Sequence, residues 1–523
     1  MAKDKRAHMD RRSVIKKTAA ASLSAAAVVT GTVKGAVKGA GVSKPIGRRS
    51  LIQRENELRG TSDWQLTRVW PNRHKLRTSL IEGYCSHQSI AAGESLDVFV
   101  SCDPQSEYTI DIYRMGYYGG TGACHKKTIG PLPGKTQTVP EMTSDPARLR
   151  ECQWDVSVSL EIPENWVSGV YLGKLTTVAK TSSEPYWQSY VIFIVTDDRP
   201  ADVLFQCSDN TWQAYNKWPE NESLYTHPAG AHAPGVAVSF DRPYGMYAQI
   251  FEPPLSIGSG EFLLWEYPLC YWLEQHGYDV TYGSNADGID VDFIIRCKTF
   301  LSVGHDEYWD VRQYQAAEAA IERGVNYLWL SGNSVFIVSP FTDSATGTPL
   351  RTITREGCYG VLRNDEIESY EAMFAGLGDT GLDERRIIGA RSVVPFNGGG
   401  DWTCTNPQHW LFQGTGMKHG ESVSGLVGWE HHGEPDLERH GLQVLAEGSV
   451  WAGGTSEGQY AATIFPGGNE NFVFNAATIF WSQGLSSPPG HILPWSHWSR
   501  PHGPDERVQQ MTANLLKKAI GNS

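Results

Sequence analysis

From about residue 60 to residue 198, apolar and polar positions alternate with a period of two. The clearest runs are Ser95-Leu96-Asp97-Val98-Phe99-Val100 and Tyr108-Thr109-Ile110-Asp111-Ile112-Tyr113. Residues 153–162, 169–177 and 189–195 continue the pattern between clusters of Gly, Pro, Ser and Asn. A period of two puts successive side chains on opposite faces of a strand. Short strands with no helical stretch between them predict an immunoglobulin-like antiparallel β-sandwich over residues 60–198.

The pattern changes at Asp197-Asp198-Arg199-Pro200. Beyond it, continuous apolar runs at 201–207, 278–282, 298–303 and 325–330 read as buried strands. Residues 267–277, with Pro268 in the first turn, and 309–323, with apolar and Ala positions three and four apart, read as helices. Strands alternating with helices predict an α/β domain over residues 199–523, a mostly parallel sheet covered on both faces. Ligands bind beyond the carboxyl ends of such strands, which points to residues 208–216, 304–308 and 331–334. After about residue 340 the chain is rich in loops, Trp and His, and no element stands out.

Arg11-Arg12, then Ser13-Val14-Ile15-Lys16-Lys17 and a run of Ala, Ser and Val, has the order of a twin-arginine signal peptide over residues 1–40. The apolar part, from Thr18 to Thr32, is too short and weak for a permanent membrane span. The expected location is periplasmic or extracellular, after export in the folded state, and cleavage is expected between Ala36 and Ala40. Export after folding suits a chain that takes up a cofactor in the cytoplasm. A plain basic tail is the simpler alternative.

Residues 1–50 carry twelve Lys and Arg against two Asp and Glu, so the net charge of −13 for the chain becomes −23 for residues 51–523. Such a surface repels phosphate backbones and anionic lipid. Nucleic acid and membrane are therefore not expected as partners, and a small molecule is. The nine cysteines include no Cys-x-x-Cys pair, which removes support for zinc ribbons, thioredoxin-type chemistry and compact iron–sulfur spacing.

Gly304-His305-Asp306-Glu307-Tyr308-Trp309 is the densest chemistry in the chain: an imidazole, two carboxylates and a phenol between a strand and a helix. Asp306 or Glu307 can serve as a helix cap, His305 and Asp306 can move protons, and the loop can supply metal ligands. Capping leaves His305 and Tyr308 unexplained. Cys207 ends a strand and is a nucleophile candidate, although a buried thiol more often packs as a small apolar group. His431, His432, His497 and His502 lack the spacing of a zinc site.

Ser208-Asp209-Asn210-Thr211-Trp212-Gln213-Ala214-Tyr215-Asn216, Gly304–Trp309 and Leu328-Trp329-Leu330-Ser331-Gly332-Asn333 together resemble the large (beta) subunit of N,N-dimethylformamidase. The resemblance covers roughly residues 200–520, and the sandwich before it is similar in kind to that family's. It implies an amidotransferase-like α/β scaffold and a mononuclear iron held by two tyrosines and a glutamate, used to hydrolyse an amide. Carried over, it makes Tyr308 one ligand and Tyr267, about forty residues upstream, the other. Glu430 is the carboxylate candidate, by composition. A second glutamate is expected before the late strand at 472–480, where Glu470 is nearest. Without the resemblance, Tyr308 reads equally as a half-buried aromatic at a helix start and Tyr267 as a core aromatic.

Two function classes follow. One is an exported metal-dependent hydrolase of carbon–nitrogen bonds in a small amide, with a homo-oligomer or a small partner subunit left open. The other is a non-catalytic or carbohydrate-binding exported protein, using its many aromatic residues to stack on sugars.

Overall fold

The structure is a computed structural model. It describes residues 49–521 apart from 73–75, 180, 182–184, 232, 246–256, 361–377, 380, 397, 455 and 494–501. The twin-arginine segment, residues 1–40, and His497 lie outside the described residues. What is described is β-rich, with several sheets and few helices.

Before residue 197 the alternation builds two sheets. Glu82–Cys85, Ser95–Ser101 and Val158–Glu161 form an antiparallel three-stranded sheet. Ser89–Ala91, Gln188–Thr196, Gly169–Thr177, Glu107–Met115 and Ala123–Pro133 follow in that order in a five-stranded one, in which the short first strand pairs parallel with its neighbour. Leu96, Val98 and Val100 point to a shared core with Ile110, Ile112, Leu175, Val191 and Phe193. Of the 153–162 run, only Val158–Glu161 is strand.

Gly169–Thr177 and Gln188–Thr196 lose their alternation because both faces are covered. Val170, Leu172, Tyr190, Ile192 and Ile194 share a second core with Val203, Phe205, Tyr267 and Tyr282. The chain from residue 49 onward is therefore one compact unit.

One buried ion pair joins its two parts. Arg114 and Glu274 are both fully buried and meet at 2.8 Å. Glu274 also accepts from the Tyr282 hydroxyl at 2.9 Å. Removing one member of a buried pair leaves the other charge uncompensated. Arg114→Ala is expected to lower the unfolding free energy by about 3–5 kcal/mol, read from the denaturant midpoint. A loss below about 1 kcal/mol, the range of an exposed pair, would show that the pair does not matter.

After residue 200, a seven-stranded sheet runs in the order Val280–Gly283, Ala201–Gln206, Cys297–Gly304, Asn326–Ser331, Phe472–Asn475, Ser456–Pro466 and Gln443–Ala452. The first five strands are mutually parallel, and the last two turn antiparallel. Tyr267–Gln275, Val311–Glu322 and Glu506–Ile520 are the longer helices. Ala201–Gln206, Cys297–Gly304 and Asn326–Ser331 end side by side, so the segments that follow them converge. All nine cysteines are buried and unpaired.

Candidate active site

Three chain segments come together at those strand ends. After Gln206 the chain enters a helix, Asp209–Tyr215, whose residues are all buried. After Cys297–Gly304 it turns at Gly304, where φ is +70°. A Cβ there would lie 2.7 Å from Cβ of Trp265, so only glycine fits. The backbone of 304–307 is then laced to the third segment: Gly332 N–H donates to the Gly304 carbonyl at 3.1 Å, and Val335 N–H to the Asp306 carbonyl at 3.0 Å.

This extended stretch splits the four polar side chains. Asp306 points into a polar network below the loop, accepting from Gln206 Nε2 at 2.9 Å, Ser302 Oγ at 2.8 Å and Asn285 Nδ2 at 3.0 Å. Burial pushes its carboxyl up to about 6, against these hydrogen bonds. Asp306 therefore braces the loop. Neither Asp306 nor Glu307 caps the next helix: Asp310 does, accepting from Arg312 N–H at 2.7 Å.

Glu307 is the centre of the other group. Its Oε2 accepts from the Tyr215 hydroxyl at 2.7 Å, and its Oε1 accepts from the Tyr225 hydroxyl at 3.4 Å. The two tyrosine rings stack with centroids 4.9 Å apart, and their hydroxyls are 3.2 Å apart. Tyr308 brings a third phenol against the Tyr225 hydroxyl. Thr211 Oγ1 accepts from Glu307 N–H at 3.0 Å, and Asn210 Nδ2 donates to the Tyr308 carbonyl at 3.0 Å, so the short helix fixes the backbone of the motif.

His305 adjoins this group. Its Nε2 is 3.1 Å from Glu307 Oε2 and 3.7 Å from Glu430 Oε1. Neither ring nitrogen completes a hydrogen bond among the described residues, and Trp429 lies edge-on to the ring at 5.3 Å. Glu430 is held through its carbonyl, which accepts from Ile479 N–H at 3.3 Å. Arg355, fully buried, places its guanidinium 5.0 Å from the centroid of the Tyr225 ring.

The electrostatics are costly without a further charge. Burial, then Glu307, holds the Glu430 carboxyl well above the usual carboxylate range. Burial, then Glu307, raises the Tyr215 and Tyr308 phenols well above theirs, with Arg355 opposing the rise at Tyr308. A bound cation inverts that logic and favours the ionised oxygens. Among the described residues no three His, Cys, Asp or Glu side chains gather as a metal site. What does gather is phenolic oxygen around one carboxylate, a donor set for a hard cation.

The sequence profile of the N,N-dimethylformamidase beta subunit-like C-terminal region matches residues 109–494, about three quarters of the chain. The chain belongs to that family. The match begins within Glu107–Met115, so the dimethylformamidase-like region takes in most of the five-stranded sheet as well as the larger one. A comparison with curated proteins finds no match.

Set against the family resemblance, the structure brings His305, Tyr308 and Glu430 together but not Tyr267. The Tyr267 ring packs on Trp64 at 5.6 Å, and its hydroxyl donates to the Gly122 carbonyl at 3.3 Å, on the side facing the N-terminal sheets. The tyrosines that do reach the motif are Tyr215 and Tyr225. Tyr215 and Glu307 lie in segments singled out in the sequence. Tyr225 carries no sequence signal. Glu470 lies exposed on a turn. His432 is a structural clamp, accepting from Ser334 N–H at 2.9 Å through Nε2 and bonding Asn475 Oδ1 at 2.8 Å through Nδ1. The Cys207 thiol is raised by burial and by Glu266, the reverse of an activated nucleophile.

Proposed function

We propose that this member of the dimethylformamidase-like family is an exported hydrolase of carbon–nitrogen bonds in a small amide. Its iron would be held by Tyr215, Tyr225 and Glu307, with Tyr308 as the adjoining phenol. The observation that carries this reading is the meeting of two phenolic hydroxyls on the Glu307 carboxylate, with the His305 imidazole 3.1 Å away. The ligand set differs from the sequence expectation of Tyr308, Tyr267 and Glu430. Fold details remain part of the same proposal: an amidotransferase-like α/β domain over residues 199–523, after an immunoglobulin-like sandwich over residues 60–198. Export through the twin-arginine route and a periplasmic or extracellular location are proposed on the leader alone. Among the described residues no helix is long and apolar enough to cross a membrane.

A ferric ion on phenolate and carboxylate oxygens supplies Lewis acidity, which polarises an amide carbonyl and lowers the pKa of water. The protein's residues manage the protons. His305 Nε2 is placed to take the proton of an attacking water and return it to the leaving amine nitrogen. Glu430, its carboxyl held well above the usual carboxylate range by burial and by Glu307, lies 3.7 Å from His305 Nε2 and is placed to share that proton. Asp306 acts at one remove, keeping the loop that carries His305 and Glu307 in place. Trp429 walls the imidazole, which restricts its exchange with bulk water.

The carbohydrate-binding reading has less support. Trp64, Trp218, Trp265, Trp309, Trp329 and Trp402 are core residues, and only Trp70 and Trp451 stand out as large exposed tryptophans among the described residues. Incubation of the purified protein with small N-alkyl amides, reading released amine, tests the hydrolase reading. Catalytic amine release is expected. Absence of turnover over a panel of formamides, acetamides and longer acyl amides, with iron bound, would overturn it.

A further inference from the structure

A small cavity lies at the start of the helix that ends in Tyr215. It has a volume of about 30 Å³ and is lined by Tyr84, Asp209, Trp212, Phe240, Tyr244 and Arg351, among others. At roughly 10–15 Å³ per water, it has room for about two non-hydrogen atoms. It opens between the three-stranded sheet, which gives Tyr84, and the segment after Ala201–Gln206, which gives Asp209 and Trp212.

The charges around it are unequal. Arg351 is answered in full: its Nε and Nη2 donate to Asp241 Oδ1 at 3.0 and 2.8 Å, and Nη2 also to the Cys85 carbonyl at 2.8 Å. Asp209 is only 1% exposed. Its Oδ1 accepts from Asn285 N–H at 2.6 Å, while its Oδ2 has no hydrogen-bond partner among the described residues. Burial pushes this carboxyl up to about 8. Asp209 reaches the hydrolytic cluster only at one remove, through Asn285, which also donates to Asp306, and no step assigned there uses it. Ionising this carboxyl leaves a buried oxygen without a donor, which is costly; a cation offsets that cost, and the aromatic side chains lining the cavity suit one with an apolar substituent.

We propose that this cavity binds a small organic ammonium ion, ammonium itself or methylammonium, through an N–H donated to Asp209 Oδ2 and contact with the rings of Trp212 and Tyr244. The inference is independent of the amide-hydrolysis reading, because it uses no residue of the Glu307 cluster.

The test is a calorimetric or NMR titration of the full folded protein with methylammonium chloride, with sodium chloride and tetramethylammonium chloride at equal ionic strength. Saturable methylammonium binding is expected, with no saturation by sodium and none by tetramethylammonium, which is too large. Asp209→Asn keeps the acceptor for Asn285 and removes the charge, so it is expected to weaken binding at least about tenfold. Tyr244→Leu is expected to weaken it by a smaller factor, and Glu307→Gln to leave it unchanged, which separates this site from the iron cluster. No saturable binding, equal saturation by sodium, or unaltered affinity in folded Asp209→Asn would each overturn the proposal.

Discussion

Glu307→Gln is expected to empty the proposed iron site and reduce the proposed amide hydrolysis by about 10²–10³-fold, the worth of several kcal/mol of lost charge stabilisation. Both Tyr215 and Tyr225 approach this carboxylate with their hydroxyls. Gln keeps its length and one acceptor oxygen, so packing is preserved, but it brings no negative charge and adds an amide N–H among hydroxyl donors. Metal content by elemental analysis is expected to fall from about one iron per chain to trace. Retention of full iron and activity would move the carboxylate ligand elsewhere, with Glu430 the next nearest.

His305→Gln is expected to separate proton transfer from metal binding. Glu307, 3.1 Å from the imidazole, keeps its Tyr215 and Tyr225 donors in the variant, so the iron content is expected to stay near that of the parent. The value of kcat is expected to fall about 10²–10⁴-fold, the usual share of a positioned acid–base group, with KM little changed. A variant keeping more than a tenth of the parent kcat would remove His305 from the proton path and leave Glu430 as its only member.

Much of the framework was legible because buried parallel strands read as continuous apolar runs. The expected strands at 201–207, 298–303 and 325–330 match Ala201–Gln206, Cys297–Gly304 and Asn326–Ser331 to within a residue or so. The expected helix at 309–323 matches Val311–Glu322 because its Ala and apolar positions recur at three and four. Elements held by polar burial were not legible. Asp209–Tyr215 is mostly polar and wholly buried, so it has no amphipathic stripe and reads as a loop, which hid the approach of Tyr215 to the motif. Gly169–Thr177 is buried on both faces, a consequence of tertiary packing that alternation alone does not report.

The candidate cluster was legible in its motif and not in its partners. His305 and Tyr308 stand out because four reactive types occupy four positions, and the structure brings both to the cluster. Glu307 was obscured because an acidic residue before a helix also reads as a cap, a task that Asp310 performs. Tyr267 and Tyr225 are indistinguishable by type. Only the direction of each segment separates them: the Tyr267 helix faces the N-terminal sheets, and the loop bearing Tyr225 crosses the strand ends.

The proposed phenolate-bound iron at Glu307 is tested most directly by the metal content and visible spectrum of the purified protein. About one iron per chain is expected, with a tyrosinate-to-iron absorption band that weakens or shifts in Tyr215→Phe and in Tyr225→Phe but not in Tyr267→Phe. A colourless, metal-free protein that hydrolyses amides at full rate, or a band that only Tyr267→Phe removes, would contradict the account.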